Sequence, residues 1–151
     1  MTAAVLSIGT ELTRGELVNS NAAWLGEELT TLGFEVTEQV TVDDDLDRIV
    51  TAIRRFSETH QVVIATGGLG PTSDDLTTAA AARAAGVRQV RDEAVVEGIR
   101  EKFAAVGRVN PESFPKQGDF PQVATLLPHA VGTAPGFASR LGRSRLWFVP
   151  G

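Results

Sequence analysis

The chain has 151 residues, of which 42% are hydrophobic, and a formal net charge of −5 at pH 7. We expect a single domain over residues 1–151, because a chain of this length buries roughly 70% of its unfolded surface in one core. The acidic balance argues against nucleic acid as a partner, and the lack of cysteine excludes disulfides and thiolate chemistry. A signal peptide and a membrane-spanning run are not recognisable, so a soluble cytoplasmic protein with no membrane contact is expected.

The first third of the chain predicts a strand, a helix and a second strand. Residues 3–8 form an apolar run that ends at Gly9, as in a strand buried in a parallel sheet. The helix that follows ends near Leu32, because Gly33 stops it. Residues 34–42 alternate apolar and polar with one phase slip, which predicts an outer strand. The expected buried face of the helix is Leu25, Leu29 and Leu32.

Further strands and helices alternate along the rest of the chain. A periodic helix follows three aspartates at 43–45, and a strand at 61–65 precedes a helix at 76–85. Residues 87–90 form a short strand or a connector, and a helix starts at Glu93. The expected buried stripes are Leu46, Ile49, Val50, Ile53 and Phe56 in the first of these helices, and Val95, Ile99, Phe103 and Val106 in the last. Short strands are predicted at 124–127, 136–141 and 145–149.

This alternation predicts an α/β fold: a three-layer α/β/α domain with a mainly parallel sheet. Ligands of such sheets bind beyond the carboxyl ends of the strands. The strands at 3–8 and 61–65 end in the two loops richest in polar residues, so both loops are expected to reach one crevice.

The loop after the strand at 61–65 has the composition of an anion site. Gly67, Gly68 and Gly70 let the backbone approach a ligand and point N–H groups at it, and the N-terminus of the next helix adds positive partial charge. The spacing matches neither a Walker A loop nor the dinucleotide-binding fingerprint.

Two adjacent carboxylates, Asp74 and Asp75, end this loop and would repel a bare phosphate. A cation between them and the ligand resolves the conflict, so the stretch predicts a metal-assisted phosphate site. The alternative is a tight strand-to-helix turn in which Asp75 is only the N-cap of the helix.

The loop after the first strand offers further ligand groups. Thr10, Glu11, Asn19 and Asn21 are candidates for binding ribose, phosphate or a metal. Equally, Asn19 and Ser20 are typical N-caps of the following helix.

Three other features have an ordinary surface explanation beside a functional one. The aspartates at 43–45 are typical of a solvated helix entry, although one of them could turn inward. Lys116 is a candidate phosphate ligand or a solvated surface lysine. His129 is interpreted as structural or as part of a ligand rim, and not as a catalytic base.

Three motifs in order carry a family resemblance. They are Gly9-Thr10-Glu11-Leu12 with Gly15, Asn19 and Asn21; Thr66-Gly67-Gly68-Leu69-Gly70-Pro71-Thr72 with Asp74-Asp75-Leu76-Thr77; and Val131-Gly132-Thr133-Ala134-Pro135-Gly136-Phe137. On these motifs, essentially the whole chain resembles the N-terminal domain of the competence/damage-inducible CinA proteins. That domain is similar in fold to the molybdopterin-binding MoaB and MogA proteins.

The resemblance implies two functions for one site. In the CinA family the domain is associated with hydrolysis of ADP-ribose to AMP and ribose 5-phosphate, with a divalent metal (Mg, Mn or Co) and help from potassium. We therefore expect a nucleotide pyrophosphatase. The alternative, from the MoaB/MogA branch, is a molybdopterin-binding module without hydrolytic activity. Relatives also imply a homo-oligomer, either a dimer or a trimer, whose partner molecule is a small nucleotide or pterin.

By motif position the resemblance also implies residue roles. Asp43 or Asp44 falls where relatives have an aspartate after the second strand, and Lys116-Gln117 matches a lysine-containing motif. The catalytic candidates are Asp74, Asp75 and Asp44, and the metal candidates are Asp74, Asp75 and Glu11. The candidates for phosphate or nucleotide binding are Gly67, Gly68, Gly70, Thr72, Ser73, Asn19, Asn21 and Lys116.

The chain departs from the family pattern at three places. His129 stands where many relatives have asparagine, and Gly118 stands where alanine is usual. Full-length relatives continue past a Leu/Val-Pro-Gly motif into a second domain linked to deamidation of nicotinamide mononucleotide, whereas this sequence stops at Val149-Pro150-Gly151. We therefore expect the deamidase domain to be absent and do not extend its activity to this chain.

Overall fold

The computed structural model describes residues 1–108, 112–127 and 132–151. His129, predicted as a structural or rim residue, lies outside the described residues. The elements in chain order are β1 (Thr2–Ile8), α1 (Thr10–Thr13), α2 (Ser20–Thr31), β2 (Glu35–Val42), α3 (Leu46–Thr59), β3 (Val62–Thr66), α4 (Thr77–Ala85), β4 (Gln89–Arg91), α5 (Glu93–Ala105), a 3-10 helix (Phe114–Gly118), β5 (Asp119–Pro121), β6 (Thr125–Leu126), β7 (Phe137–Leu141) and β8 (Ser144–Val149).

A six-stranded sheet in the order β2-β1-β3-β8-β7-β6 forms the centre of the fold. β2, β1, β3 and β8 run parallel, and β7 and β6 continue the sheet in antiparallel pairing. β1 has strand neighbours on both sides and is buried from Ala3 to Ile8, as its apolar run predicts. The α/β prediction with a mainly parallel sheet is confirmed.

Helices cover both faces of the sheet. α3 and α4 pack on one face around the fully buried Phe56, together with Phe137 and Phe148 from the sheet. α2 covers the other face through Ala22 and Leu29. α2, α3 and α4 each present an apolar stripe to the sheet, so the three layers follow from helical periodicity.

The phase slip in the second strand is a β-bulge. Ala3 pairs with Val36 but Ala4 pairs with Glu38, so β2 carries one extra residue at this point. Val36 consequently packs against the core under α2, whereas Val40 packs against the core under α3.

Three local predictions are wrong. Leu32 and Val106 were expected to be buried but are 72% and 66% exposed, because each is the C-cap residue beyond the last helical turn. α4 begins at Thr77 and not at Leu76.

The part of the chain after α4 contains a pairing that was not predicted. β4 and β5 form a separate two-stranded antiparallel sheet. Within the described ranges, no helix is long and apolar enough to cross a membrane.

Candidate functional site

A cleft of about 670 Å³ opens where the carboxyl ends of β1, β3 and β8 meet, as expected for a sheet with parallel strands. The loops after β1 and β3 both reach it, which confirms that they share one crevice. The predicted site residues that line it are Glu11, Asn19, Asn21, Asp44, Gly67, Gly68, Gly70, Thr72, Asp74 and Asp75. Ser73 and Lys116 are not among its lining residues.

The glycine loop, residues 67–70, begins in a conformation that requires glycine. Gly67 and Gly68 have φ values of +95° and +70°, a region that other residues rarely adopt. A Cβ on Gly67 would also lie 2.2 Å from the carbonyl oxygen of Ile8. The lack of a side chain therefore lets β3 turn out of the sheet directly beside the end of β1.

One N–H group of this loop is used internally. The Gly67 N–H donates to the carbonyl oxygen of Val149 over 3.1 Å, which differs from the expectation that it faces a ligand. Within the described ranges, no acceptor is found for the N–H groups of Gly68 and Gly70. These two remain the candidate donors to a ligand.

Thr77, the first residue of α4, fixes the glycine loop in place. It is fully buried, its hydroxyl donates to the Gly67 carbonyl over 2.7 Å, and its N–H donates to the Gly68 carbonyl over 3.2 Å. Sequence reasoning assigned Thr77 no role. A polar residue in the first helical turn after a glycine loop is the pattern that would have indicated this role.

Asp75 closes the end of the loop and does not cap α4. Its Oδ2 accepts hydrogen bonds from the Thr72 N–H at 2.8 Å and the Thr72 hydroxyl at 2.7 Å. The helix starts two residues later, and its N-cap Leu76 offers no side-chain bond. The N-cap alternative is therefore wrong. Lys116 Nζ donates to the Thr72 carbonyl, so the lysine supports the loop from outside the cleft.

In the first loop, the N-cap interpretation of Asn19 is confirmed, and its role as a ligand group stays a prediction. Its Oδ1 accepts from the Ala22 N–H at 3.1 Å, which caps α2, and its Nδ2 donates to the Thr41 hydroxyl at 3.3 Å. Asn19 also lines the cleft together with Ser20 and Asn21. The positive N-terminal end of α2 therefore borders the cleft.

Of the three aspartates before α3, Asp44 is the one that lines the cleft. Its Oδ2 accepts from the Thr10 N–H at 3.0 Å, and its own N–H donates to the Thr10 hydroxyl at 3.2 Å. Asp43 pairs with Arg48 at 2.7 Å, and Asp45 caps α3 by accepting from the Arg48 N–H. The solvated helix entry thus describes Asp45, which is exposed. Asp43 is half-buried, with its Oδ1 shielded from solvent, and Asp44 faces the cleft.

The cleft is strongly acidic. Among the residues that the structure describes, four carboxylates line it, from Glu11, Asp44, Asp74 and Asp75, and no lysine or arginine does.

These carboxylates do not form a metal centre by themselves. Among the residues that the structure describes, no group of three His, Asp or Glu side chains is placed to hold a metal ion, so the predicted set Asp74, Asp75 and Glu11 does not fit one. His60 is structural, since its ring nitrogens bond Thr37 and Thr59 at 2.8 Å each.

Relatives of known sequence cover the whole chain. The family model described as "Probable molybdopterin binding domain" matches residues 4–151. CinA-like proteins of Frankia casuarinae and Geobacter metallireducens are each 44% identical to this chain, over 156 and 151 residues respectively. These alignments include 100% of this chain but 36% and 37% of the relatives, so the chain spans little more than a third of their length.

Solved structures that resemble this chain lead to the same family. The protein CinA of Thermoplasma acidophilum, described as of unknown function, superposes with a TM-score of 0.91 at 34% identity, over 99% of this chain and 88% of that chain. The molybdopterin biosynthesis enzyme MoaB of Thermus thermophilus superposes with a TM-score of 0.64 at 21% identity over 99% and 80%, which shows a shared fold. The chain belongs to the molybdopterin-binding domain family, in its CinA-like branch.

Proposed function

We propose that this chain binds a phosphorylated pterin, with molybdopterin as the first candidate, in the cleft between the glycine loop and the N-terminus of α2. The observation that carries the proposal is the position of the glycine loop, which lines a cleft of about 670 Å³. That volume suits a small organic ligand. The family model and the MoaB fold support a pterin as this ligand.

The chemistry of the cleft complements a pterin ring. A pterin carries N–H groups on its edge, and the carboxylates of Glu11, Asp44 and Asp74 are hydrogen-bond acceptors that line the cleft. Leu17 and Val18 also line it and are 60% and 89% exposed, so they offer apolar surface to a planar ring. Covering them with a ligand removes apolar surface from water and stabilises the complex.

A second candidate is a metal-dependent pyrophosphatase that acts on ADP-ribose. The observation in its favour is the four carboxylates in the cleft, because an anionic diphosphate is compatible with them only when a cation is also bound. Against it, the carboxylates provide no three-ligand metal group among the described residues. Pterin binding without turnover therefore ranks first.

The test is equilibrium binding of molybdopterin by the wild-type chain and by two matched variants. Asp44→Asn removes a carboxylate from the cleft and keeps an oxygen for the Thr10 N–H. Asp47→Asn, the control, removes an exposed carboxylate on α3 that pairs with Arg83. We expect Asp44→Asn to weaken binding about tenfold or more, since a charged hydrogen bond contributes about 1.5–3 kcal/mol, and Asp47→Asn to bind like wild type.

The same preparations decide between the two candidates. ADP-ribose is supplied with Mg²⁺, Mn²⁺ or Co²⁺ in the presence of K⁺, and the release of AMP is followed. Molybdopterin binding without AMP release above the metal-free control supports the first proposal. Metal-dependent AMP release that Asp74→Asn abolishes, without pterin binding, would overturn it in favour of the hydrolase.

Three expectations from the sequence stay predictions. They are the single domain over residues 1–151, the homo-oligomer and the cytoplasmic location. Light scattering on the purified chain measures the number of subunits directly.

A further inference from the structure

The sheet face that α2 covers is open at β7 and β8. Among the described residues, the apolar cluster under α2 takes its strand residues from β1, β2 and β3 and a single one, Trp147, from β8. On the opposite face the same two strands are closed, because Phe137 of β7 and Phe148 of β8 are buried in the core under α3 and α4. As far as the structure describes it, the helical layer on the α2 side therefore ends before β7.

Strand pairing places four side chains together on this open face. Arg145 lies two residues before Trp147 in β8, so both point to the same side of the sheet. Arg140 and Ala138 of β7 are the residues directly opposite Arg145 and Trp147. Both arginines are exposed, whereas Ala138 and Trp147 are half-buried. All four line one cavity of about 510 Å³, and we call them the arginine face.

The arginine face carries positive charge that the described chain does not neutralise. Within the described ranges, neither the Arg140 nor the Arg145 guanidinium has an ion pair or a hydrogen bond, and no carboxylate lines the cavity. Six arginines elsewhere in these ranges do pair with carboxylates. Like charges at directly opposite positions of neighbouring strands destabilise a sheet. An acidic partner removes this repulsion, so the face is complementary to negative charge.

The composition of the face is that of a protein-binding surface. Tryptophan and arginine are enriched among the residues that contribute most of the binding energy at protein interfaces. Val123, which is 55% exposed, lines the same cavity and adds apolar surface beside Trp147. A partner with both carboxylates and apolar side chains therefore satisfies the two kinds of surface at once.

The spacing of the two arginines favours a helix as that partner. Side chains three or four residues apart on a helix have Cβ atoms about 5–6 Å apart, which matches the roughly 4.5–5.5 Å between directly opposite residues of antiparallel strands. Two glutamates at this spacing can therefore meet Arg140 and Arg145 together. Same-side residues of an extended strand are roughly 7 Å apart and fit less well. Helices also cover the other parts of this sheet.

We propose that the arginine face docks an acidic amphipathic helix of a partner protein. The carboxylates of the helix pair with Arg140 and Arg145, and its apolar side chains pack on Trp147 and Val123. Arg145 lies near the start of β8, whereas the cleft opens at the carboxyl end of the same strand. The docking surface is therefore separate from the proposed pterin site and does not depend on it.

The fluorescence of Trp147 tests the docking directly. The chain has two tryptophans, and Trp24→Phe removes the other one, which is 60% exposed. The probe is a synthetic amphipathic helix of about 15 residues, with leucines on one face and glutamates four residues apart beside them. The control peptide has lysine in place of each glutamate. We expect a saturable blue shift of the Trp147 emission with the acidic peptide and no shift with the basic one.

Charge variants of the Trp24→Phe protein assign the binding to the two arginines. The double variant Arg140→Gln with Arg145→Gln is expected to bind the acidic peptide about tenfold more weakly, through the loss of two ion pairs. Arg143→Gln is the matched control, because Arg143 is exposed in the same turn but does not line the cavity, and it is expected to bind as before. Arg140→Glu with Arg145→Glu is expected to bind the basic peptide instead. Thermal unfolding shows that each variant is folded.

The proposal is overturned if the acidic peptide gives no saturable shift, if both peptides bind equally, or if the double glutamine variant binds like Arg143→Gln. Self-association of the chain that Arg140→Glu with Arg145→Glu abolishes would also overturn it, because the arginine face would then be an interface between two copies. Failure of pterin binding in the cleft leaves all of these expectations unchanged, so the two proposals fail separately.

Discussion

Replacing Thr77 with valine removes the hydroxyl that fixes the glycine loop and keeps the size and β-branching of the side chain. The hydroxyl donates to the Gly67 carbonyl over 2.7 Å and is fully buried, so the variant leaves that carbonyl without this donor. An unsatisfied buried group costs about 1–3 kcal/mol. In a chain of this length, that corresponds to a melting temperature lower by roughly 2–12 °C.

Urea and thermal unfolding measure this loss. Thr51→Val is the matched control, because Thr51 is an exposed helical threonine on α3, and its unfolding free energy is expected to change by less than about 0.5 kcal/mol. Thr77→Ser retains the donor and is expected to be more stable than Thr77→Val. If Thr77→Val is as stable as Thr51→Val, the reasoning that Thr77 holds the loop is refuted.

Three further predictions concern stability and are measured by urea unfolding. Gly67→Ala is expected to lower the free energy of unfolding by more than the roughly 1–2 kcal/mol that a left-handed backbone costs a residue with a side chain, because its Cβ would also lie 2.2 Å from the Ile8 carbonyl oxygen. A free energy of unfolding equal to that of wild type would contradict this geometry. Phe56→Ala is expected to lose about 3–5 kcal/mol, since the ring is fully buried between α3 and the sheet; a loss below 1 kcal/mol would contradict its place in the core. Asp45→Ala is expected to lose about 1 kcal/mol through the missing cap on the Arg48 N–H, and an unchanged unfolding midpoint would show that the cap is not needed.

The sequence predicted the central part of the fold because its signals are local. The apolar run at 62–65 followed by Gly67 and Gly68 marks a strand that turns into a loop, and the structure has this arrangement. The carboxyl ends of parallel strands lie at one edge of a sheet, so the meeting of the two polar loops could also be predicted. Local composition was sufficient to predict the strand and its loop. The rule for parallel strands was sufficient to predict that the two polar loops meet.

Other features depend on contacts that are distant along the chain. β4 and β5 are each three residues long, and α5 and the 3-10 helix lie between them along the chain. Neither strand therefore has a local pattern that identifies its partner. Nothing in three adjacent aspartates indicates that Asp44 is the one that meets Thr10. Gln117 resembles an ordinary loop glutamine in the sequence, and its burial depends on packing that only the structure shows.

The central claim is that a phosphorylated pterin binds at the glycine loop, and a crystal structure of the chain with molybdopterin tests it most directly. We expect density for the pterin ring in the cleft, within hydrogen-bonding distance of Asp44, and for the phosphate beside the N–H groups of Gly68 and Gly70. Ligand density at another surface, with the cleft free of it, would contradict the account.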